Sequence, residues 1–341
     1  MRTLRLALVG LGNVGRSFLG LMTSKGQLVA DRYNLDLNLV AVADRSGALL
    51  KPDGIVPDAL RRHKQAGGRV SDSPGSLPGM QAAEMVAQAE ADVLLEAAPV
   101  DLRTAEPGLS CVRTAIGRGM DVVLADKGPL VLAYSELHRL ATAAGVRLRF
   151  SATVCGSLPT VNIGRRDLVA CEIRRVEGIF NSTTNYILTA MAAGKSYAQA
   201  LADAQAEGVA EADPRLDVEG WDTANKLVIL TNSVLRMPAT LADVQPVEGI
   251  QHITLEELQR AEAEGYRLKL LATAERADGV YRLAVRPTLL PLTHPLARVD
   301  GWQMGIVYHT DIMGVQFAAV DERGPIATAA AMLRDLVNLY A

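Results

Sequence analysis

Along the first 150 residues, short apolar runs alternate with stretches of helical spacing. LRLALV (4–9) reads as a buried strand, and RSFLGLM soon after it has helical periodicity. LNLVAVAD, ending at Asp44, is a second strand, and KGQLVADRYN before it extends the first crossover. DVLLEAAP (92–99) and DVVLADK (121–127) are two more strand-to-loop edges, and VRLRFSATV (146–154) reads as the last strand of this half. Buried strands separated by helices predict an α/β fold with a parallel sheet. From Cys155 the pattern changes. GSLPT is a turn with a helix after it, and CEIRRVEGIFN is a strand running into a polar stretch that becomes helical at Asn181. Ser196 caps a helix ending near Gly208. YRLKLLATAER and VYRLAVRPTLL flank Ala277-Asp278-Gly279 as a hairpin, and GIVYHTDIMGVQFAAV reads as another. These antiparallel signatures predict an α+β second domain. GPIATAAAMLRDLVNLYA is a closing helix expected to return to the first domain. The division expected is 1–150, 151–310 and a C-terminal segment 311–341.

Gly10-Leu-Gly12-Asn13-Val14-Gly15 lies between the first strand and the first helix, the context in which G-x-G-x-x-G binds a dinucleotide. Gly10 allows the tight turn, Gly12 lets a pyrophosphate approach the backbone, and Gly15 permits close helix–strand packing. Asp44 can accept hydrogen bonds from a ribose diol, which favours NAD, while Arg45 beside it suits a 2′-phosphate. The balance leans slightly to NAD. Lys127, in ADKGPL, stands where ligands collect, outside the carboxyl end of a parallel strand.

The densest chemistry lies in EGVAEADPRLDVEGWDTANK (207–226), with Glu207, Glu211, Asp213, Asp217, Glu219 and Asp222 before Lys226. Six acids make a poor core, because buried charges must be paired. They can hold a cationic amine and set a proton carrier beside a hydroxyl; a solvated acidic loop has the same composition. Asp222 and Lys226 are four apart on an apolar helix and so share a face. Lysine serves as general acid or base where its surroundings lower its pKa.

Composition narrows the choice. The 341 residues are 49% hydrophobic, enough for two domains. A net charge of −3 and 4% aromatics make no case for nucleic acid or an anionic membrane. No apolar run has membrane-spanning length. Cys111, Cys155 and Cys171, with no C-x-x-C, suit a reducing, cytoplasmic setting, and the five histidines have no metal-ligand spacing. Cys155, Trp221, Trp302, His294 and His309 read as packing or structural residues.

Taken in order, GLGNVG, ADKGPL, ATVCGSLPT, GIFNSTTNYIL, AEADPRLDVEGWDTANKLVIL, HPLA and GPIATAAAMLRDL resemble homoserine dehydrogenase over nearly the whole chain. The resemblance implies a Rossmann-type domain followed by a substrate and dimerisation domain. It implies NAD(P)-dependent oxidation of L-homoserine to L-aspartate 4-semialdehyde, or the reverse used in threonine and methionine biosynthesis, by a homodimer or homotetramer. On matching positions it implies Lys226 as the residue exchanging the hydroxyl proton, Asp222 as its partner and Lys127 as a second catalytic lysine. Glu211 and Asp217 become substrate-side acids, with Asn181, Thr183 and Tyr186 at the junction of cofactor and substrate. Gly10, Gly12, Asn13, Val14, Gly15, Asp44, Arg45, Ala98, Pro99, Lys127 and Thr328 become cofactor-binding positions.

The chain departs from the family pattern in places. Ser151 stands where many members have a glutamate that helps hold a monovalent cation, leaving only backbone groups around Val154, Gly156 and Leu158 for such an ion. Asp126 replaces a common asparagine, Ser182-Thr183 a usual Gly-Thr, and Ala327 a frequent proline. No C-terminal regulatory module is expected, nor threonine feedback through one. The competing readings are another amino-acid dehydrogenase of this architecture and a dinucleotide-binding sensor that has lost catalysis.

Overall fold

The computed structural model describes the whole chain except residues 208, 209, 211 and 212. The chain divides into two compact units, Met1–Gly156 with Pro325–Ala341, and Ser157–Gly324.

In the first unit, β1 (Arg2–Val9) sits at the centre of a seven-stranded sheet because it is apolar on both faces. β2 (Leu35–Asp44), β3 (Gly47–Leu50), β4 (Ser76–Pro78), β5 (Val93–Glu96), β6 (Asp121–Leu124) and β7 (Leu148–Arg149) complete it in the order β4-β3-β2-β1-β5-β6-β7. Strands β2, β1, β5, β6 and β7 run parallel, and β3 and β4 close one edge antiparallel. The first crossover helix, Asn13–Tyr33, ends at Asn34 in the left-handed conformation, so KGQLVADRYN does extend it. Phe18, Leu19 and Met22 of that helix share a core with Leu4, Leu6 and Leu8 of β1 and Met332 and Leu336 of the helix Pro325–Tyr340.

The last strand of this sheet is shorter than its apolar run suggests. β7 stops at Arg149, and Ser151–Thr153 form a 3-10 turn. The Ser151 amide and hydroxyl both donate to the Asp335 carboxylate, at 2.8 and 2.6 Å, which draws the backbone off the ladder. A hydrogen bond across 184 residues leaves no trace in local periodicity.

The second unit carries a six-stranded sheet, ordered β13-β12-β8-β10-β11-β9, from β8 (Ile173–Ile179), β9 (Val244–Val247), β10 (Tyr266–Ala277), β11 (Val280–Pro291), β12 (Gln303–Thr310) and β13 (Val315–Asp321). All its pairings are antiparallel except β11 with β9. Asp278 and Gly279 join β10 to β11 with φ of 52° and 83°, the two positive values that a twist-matched hairpin turn requires. Ser196 caps the helix Tyr197–Ala206 by accepting the Gln199 N–H.

Candidate active site

In the first unit the three glycines do different work. Gly10 has φ of +89°, and a β-carbon there would lie 2.2 Å from the Ala97 carbonyl oxygen. At Gly15 it would lie 2.0 Å from the Gly10 carbonyl oxygen. At Gly12 it would meet no protein atom within 4 Å. Gly10 and Gly15 are thus required by packing, whereas Gly12 leaves a cradle that a side chain would fill. Gly12 is also the N-cap of the helix Asn13–Tyr33 and offers no side-chain cap. The helix N–H groups therefore face a cradle suited to phosphate. Arg16 donates to Asn13 Oδ1 at 2.7 Å beside this turn, and Val14 is half-buried.

Asp44 ends β2. Its Oδ1 accepts from the Ser46 amide (2.8 Å) and hydroxyl (2.5 Å), and Oδ2 from Lys64 Nζ at 2.5 Å. Burial opposes its charge, but the Lys64 and Ser46 hydrogen bonds outweigh that and hold the carboxyl below its ordinary range. Lys64 lies on the helix Pro57–Gln65 and was invisible to local pattern. Arg45 is exposed. Ala98 is buried and Pro99 exposed just beyond β5. Lys127 is the half-buried N-cap of the helix Gly128–Ala144, and Thr328 lies in the first turn of Pro325–Tyr340. The residues present fit a dinucleotide.

The second unit gathers its polar residues where β8 ends and two helices begin. Asn181 caps the helix Ser182–Ala192, its Oδ1 accepting the Thr184 N–H at 2.8 Å. Its Nδ2 donates to Asp217 Oδ1 (2.7 Å) and to Asp222 Oδ2 (2.8 Å). Asp222 Oδ2 also meets Lys226 Nζ at 2.7 Å, and that amine donates to the Phe180 carbonyl at 2.7 Å. Asp222 and Lys226 share one face of the helix Trp221–Leu230, with side chains 5% and 15% exposed. This is far drier than a surface pair. A carboxylate, a carbonyl and a helix fix the amine, and Asn181 fixes the carboxylate. Thr183 is buried in the first turn of the helix that Asn181 caps. Glu211 lies outside the described residues.

Three contacts of the second unit escaped sequence reasoning. Tyr186 stacks on Trp302, ring centroids 3.9 Å apart and nearly parallel. Trp302 is a packing residue, but Trp221 is 41% exposed and its indole N–H reaches Glu219 Oε2 at 3.2 Å. His294 and His309 converge on one buried acid, with Nε2 atoms 3.3 and 2.8 Å from Glu177 Oε2, while Arg175 meets Oε1 at 2.8 Å. Of the residues near the suggested cation position, Val154 and Gly156 close the first unit and Leu158 lies at the start of the second. Ser151 is bound to Asp335. Among the described residues no cluster of metal-ligating side chains occurs, and no helix is long and apolar enough to cross a membrane.

A parallel-sheet unit with a phosphate-binding turn, joined to a unit holding a fixed lysine–carboxylate pair, defines a dinucleotide-dependent oxidoreductase. Comparison with known proteins makes this specific. Residues 10–151 match the family model for the NAD binding domain of homoserine dehydrogenase, and residues 159–337 match the homoserine dehydrogenase model. The homoserine dehydrogenase of Methanocaldococcus jannaschii is 36% identical over 338 residues, covering 98% of each chain. An NAD(+)-dependent homoserine dehydrogenase of Pseudomonas canavaninivorans is 32% identical over 342 residues, covering 100% of this chain and 97% of that one. A crystal structure of a homoserine dehydrogenase from Thiobacillus denitrificans superimposes with a TM-score of 0.85 at 31% identity, covering 100% of this chain and 74% of that one. The chain belongs to the homoserine dehydrogenase family. It is an oxidoreductase that uses a nicotinamide dinucleotide, with homoserine or aspartate semialdehyde as substrate.

Proposed function

We propose that Lys226 is the proton carrier of this reaction, held by Asp222, and that Asp217 and Asn181 complete a pocket for the substrate's polar groups. The observation that carries the reading is the continuous chain Asp217–Asn181–Asp222–Lys226, every link at 2.7 or 2.8 Å. Oxidising an alcohol to an aldehyde removes a hydride from carbon and a proton from oxygen. The nicotinamide ring, when bound, accepts the hydride. Lys226 in its unprotonated form takes the hydroxyl proton, directly or through water, and in reverse its ammonium protonates the carbonyl oxygen. Asp222 orients the amine and stabilises its charged form. Asp217 is a substrate-side acid, and the ammonium is assigned to Glu211 on the family resemblance alone. Lys127 serves as the second catalytic lysine, and Thr183 and Tyr186 line the substrate's surroundings.

NAD is read as preferred over NADP. Asp44 keeps a carboxylate at the end of β2, where a ribose diol hydrogen-bonds and a 2′-phosphate meets like charge. Lys64 and Arg45 offset part of that repulsion, so NADP is accepted more weakly. The chain works in the cytoplasm, consistent with its buried free thiols Cys111 and Cys155. It forms a homodimer through its second sheet, since edge strand β13 exposes Val315 (57%) and Phe317 (47%) beside Ile312 (69%).

A panel of L-homoserine, L-aspartate and related amino alcohols with NAD⁺ and NADP⁺ at alkaline pH tests the reading. NADH formation with L-homoserine alone is expected. Faster turnover of another substrate favours a different dehydrogenase of this architecture, and tight dinucleotide binding without turnover favours a sensor.

A further inference from the structure

Two carboxyls beneath the cofactor edge of the first sheet take no part in the reaction above. Glu96 ends β5 and is 0% exposed; Asp126 follows β6 and is 2% exposed. Each gives one oxygen to a turn. The Ala98 N–H donates to Glu96 Oε1 at 2.8 Å, and the Gly128 N–H to Asp126 Oδ1 at 2.8 Å. The remaining oxygens, Glu96 Oε2 and Asp126 Oδ2, are buried and accept no hydrogen bond from any described residue. Both carboxyls crowd Gly108, where a β-carbon would stand 2.7 Å from Asp126 Oδ2 and 3.3 Å from Glu96 Cδ.

Two unscreened carboxylates in such surroundings are unfavourable unless one is neutral. The groups acting on them do not remove the conflict. The Gly128 N–H and Lys127 favour the charge on Asp126 and Asp101 opposes it, while the Ala98 and Asp126 N–H groups favour the charge on Glu96; burial outweighs them all. Cys111, buried on the helix Gly108–Gly117, is pushed up to about 12 by burial and then by Glu96 and Glu106, so it stays a thiol. Burial, followed by the charge of Asp126, raises Glu96 well above its ordinary range, and burial raises Asp126 to about 7. Such a pair titrates as a unit.

We propose that Glu96 and Asp126 retain one proton between them and act as positioning residues for the two turns that carry Ala98, Pro99 and Lys127. Losing that proton leaves two like charges facing the same small space and pushes the turns apart. Dinucleotide affinity therefore falls as pH rises through neutrality. The dinucleotide part rests on the function proposed above; the shared proton does not.

Isotope-edited infrared spectroscopy of the full chain reads the proton directly, comparing wild type with Glu96→Gln, Asp126→Asn and the double variant. In the same samples, NADH fluorescence reads affinity and thermal unfolding reads the fold. Asparagine keeps an acceptor for the Gly128 N–H, so Asp126→Asn is expected to fold. Wild type should show a protonated-carboxyl band at neutral pH that the double variant lacks. Its NADH Kd should rise several-fold between about pH 6 and about pH 9, against less than about two-fold in Asp126→Asn. Absence of the band in wild type, or equal pH slopes in both proteins, overturns the proposal. A chain that fails to turn over homoserine would still show the band, so the two readings fail separately.

Discussion

Gly12 and Gly15 differ in what surrounds them, and that difference separates an expected ligand-binding role from a packing one. A β-carbon at Gly12 meets no protein atom within 4 Å, so Gly12→Ala should leave the unfolding midpoint nearly unchanged while raising the KM for dinucleotide at least about ten-fold. Gly15→Ala places that carbon 2.0 Å from a carbonyl oxygen, so chemical denaturation should show a loss of about 2 kcal/mol or more. Equal effects in the two variants would count against the phosphate-binding assignment. Asp44 offers a second check. Asp44→Ala removes the ribose acceptor and leaves Lys64 without its carboxylate, so the ratio of kcat/KM for NAD over NADP should fall about ten-fold or more. An unchanged ratio would remove Asp44 from cofactor choice.

At the scale of elements, the helix Pro325–Tyr340 is held to the nucleotide unit by bonds that bridge most of the sequence. Tyr340 donates to Asp121 Oδ2 at 2.6 Å, Arg147 Nη2 meets the same oxygen at 2.5 Å, and Arg147 also donates to the Leu339 carbonyl. Burial opposes the Asp121 charge, yet its hydrogen bonds from Arg147 and Tyr340 leave it below the ordinary carboxylate range. A depressed acid stabilises the fold above its unfolded pKa and loses that contribution as pH falls through its folded value. Asp121→Asn should therefore destabilise by about 2 kcal/mol at neutral pH, with the gap closing below the usual carboxylate range. A gap that widens in acid would contradict the assignment. Local signals were easy to read in this chain. The glycine turn, the Ser196 cap and the Asp278-Gly279 hairpin rest on residues within a few positions of one another. The early end of β7, the Asp44–Lys64 pair, the two histidine contacts to Glu177 and the Tyr186–Trp302 stack rest on partners 20 to 184 positions apart, which period and propensity do not encode. In the candidate site, the Asp222–Lys226 pair was legible because it sits at i,i+4. The part Asn181 plays in joining two carboxylates was not, because they lie 36 and 41 residues away.

For the whole molecule, two chemistries are expected to fall to two compact units, and the exposed edge of the second sheet is expected to pair with another copy. Phe317→Asp on β13 should shift the native mass from dimer to monomer in light scattering, whereas an unchanged mass would place the contact elsewhere. Proton transfer by Lys226 is the central claim, and steady-state turnover of L-homoserine by Lys226→Ala against wild type tests it most directly. The predicted result is a kcat lower by about 10²–10⁴-fold with the dinucleotide Kd and the unfolding midpoint retained. A near-normal kcat in that variant would contradict the mechanism.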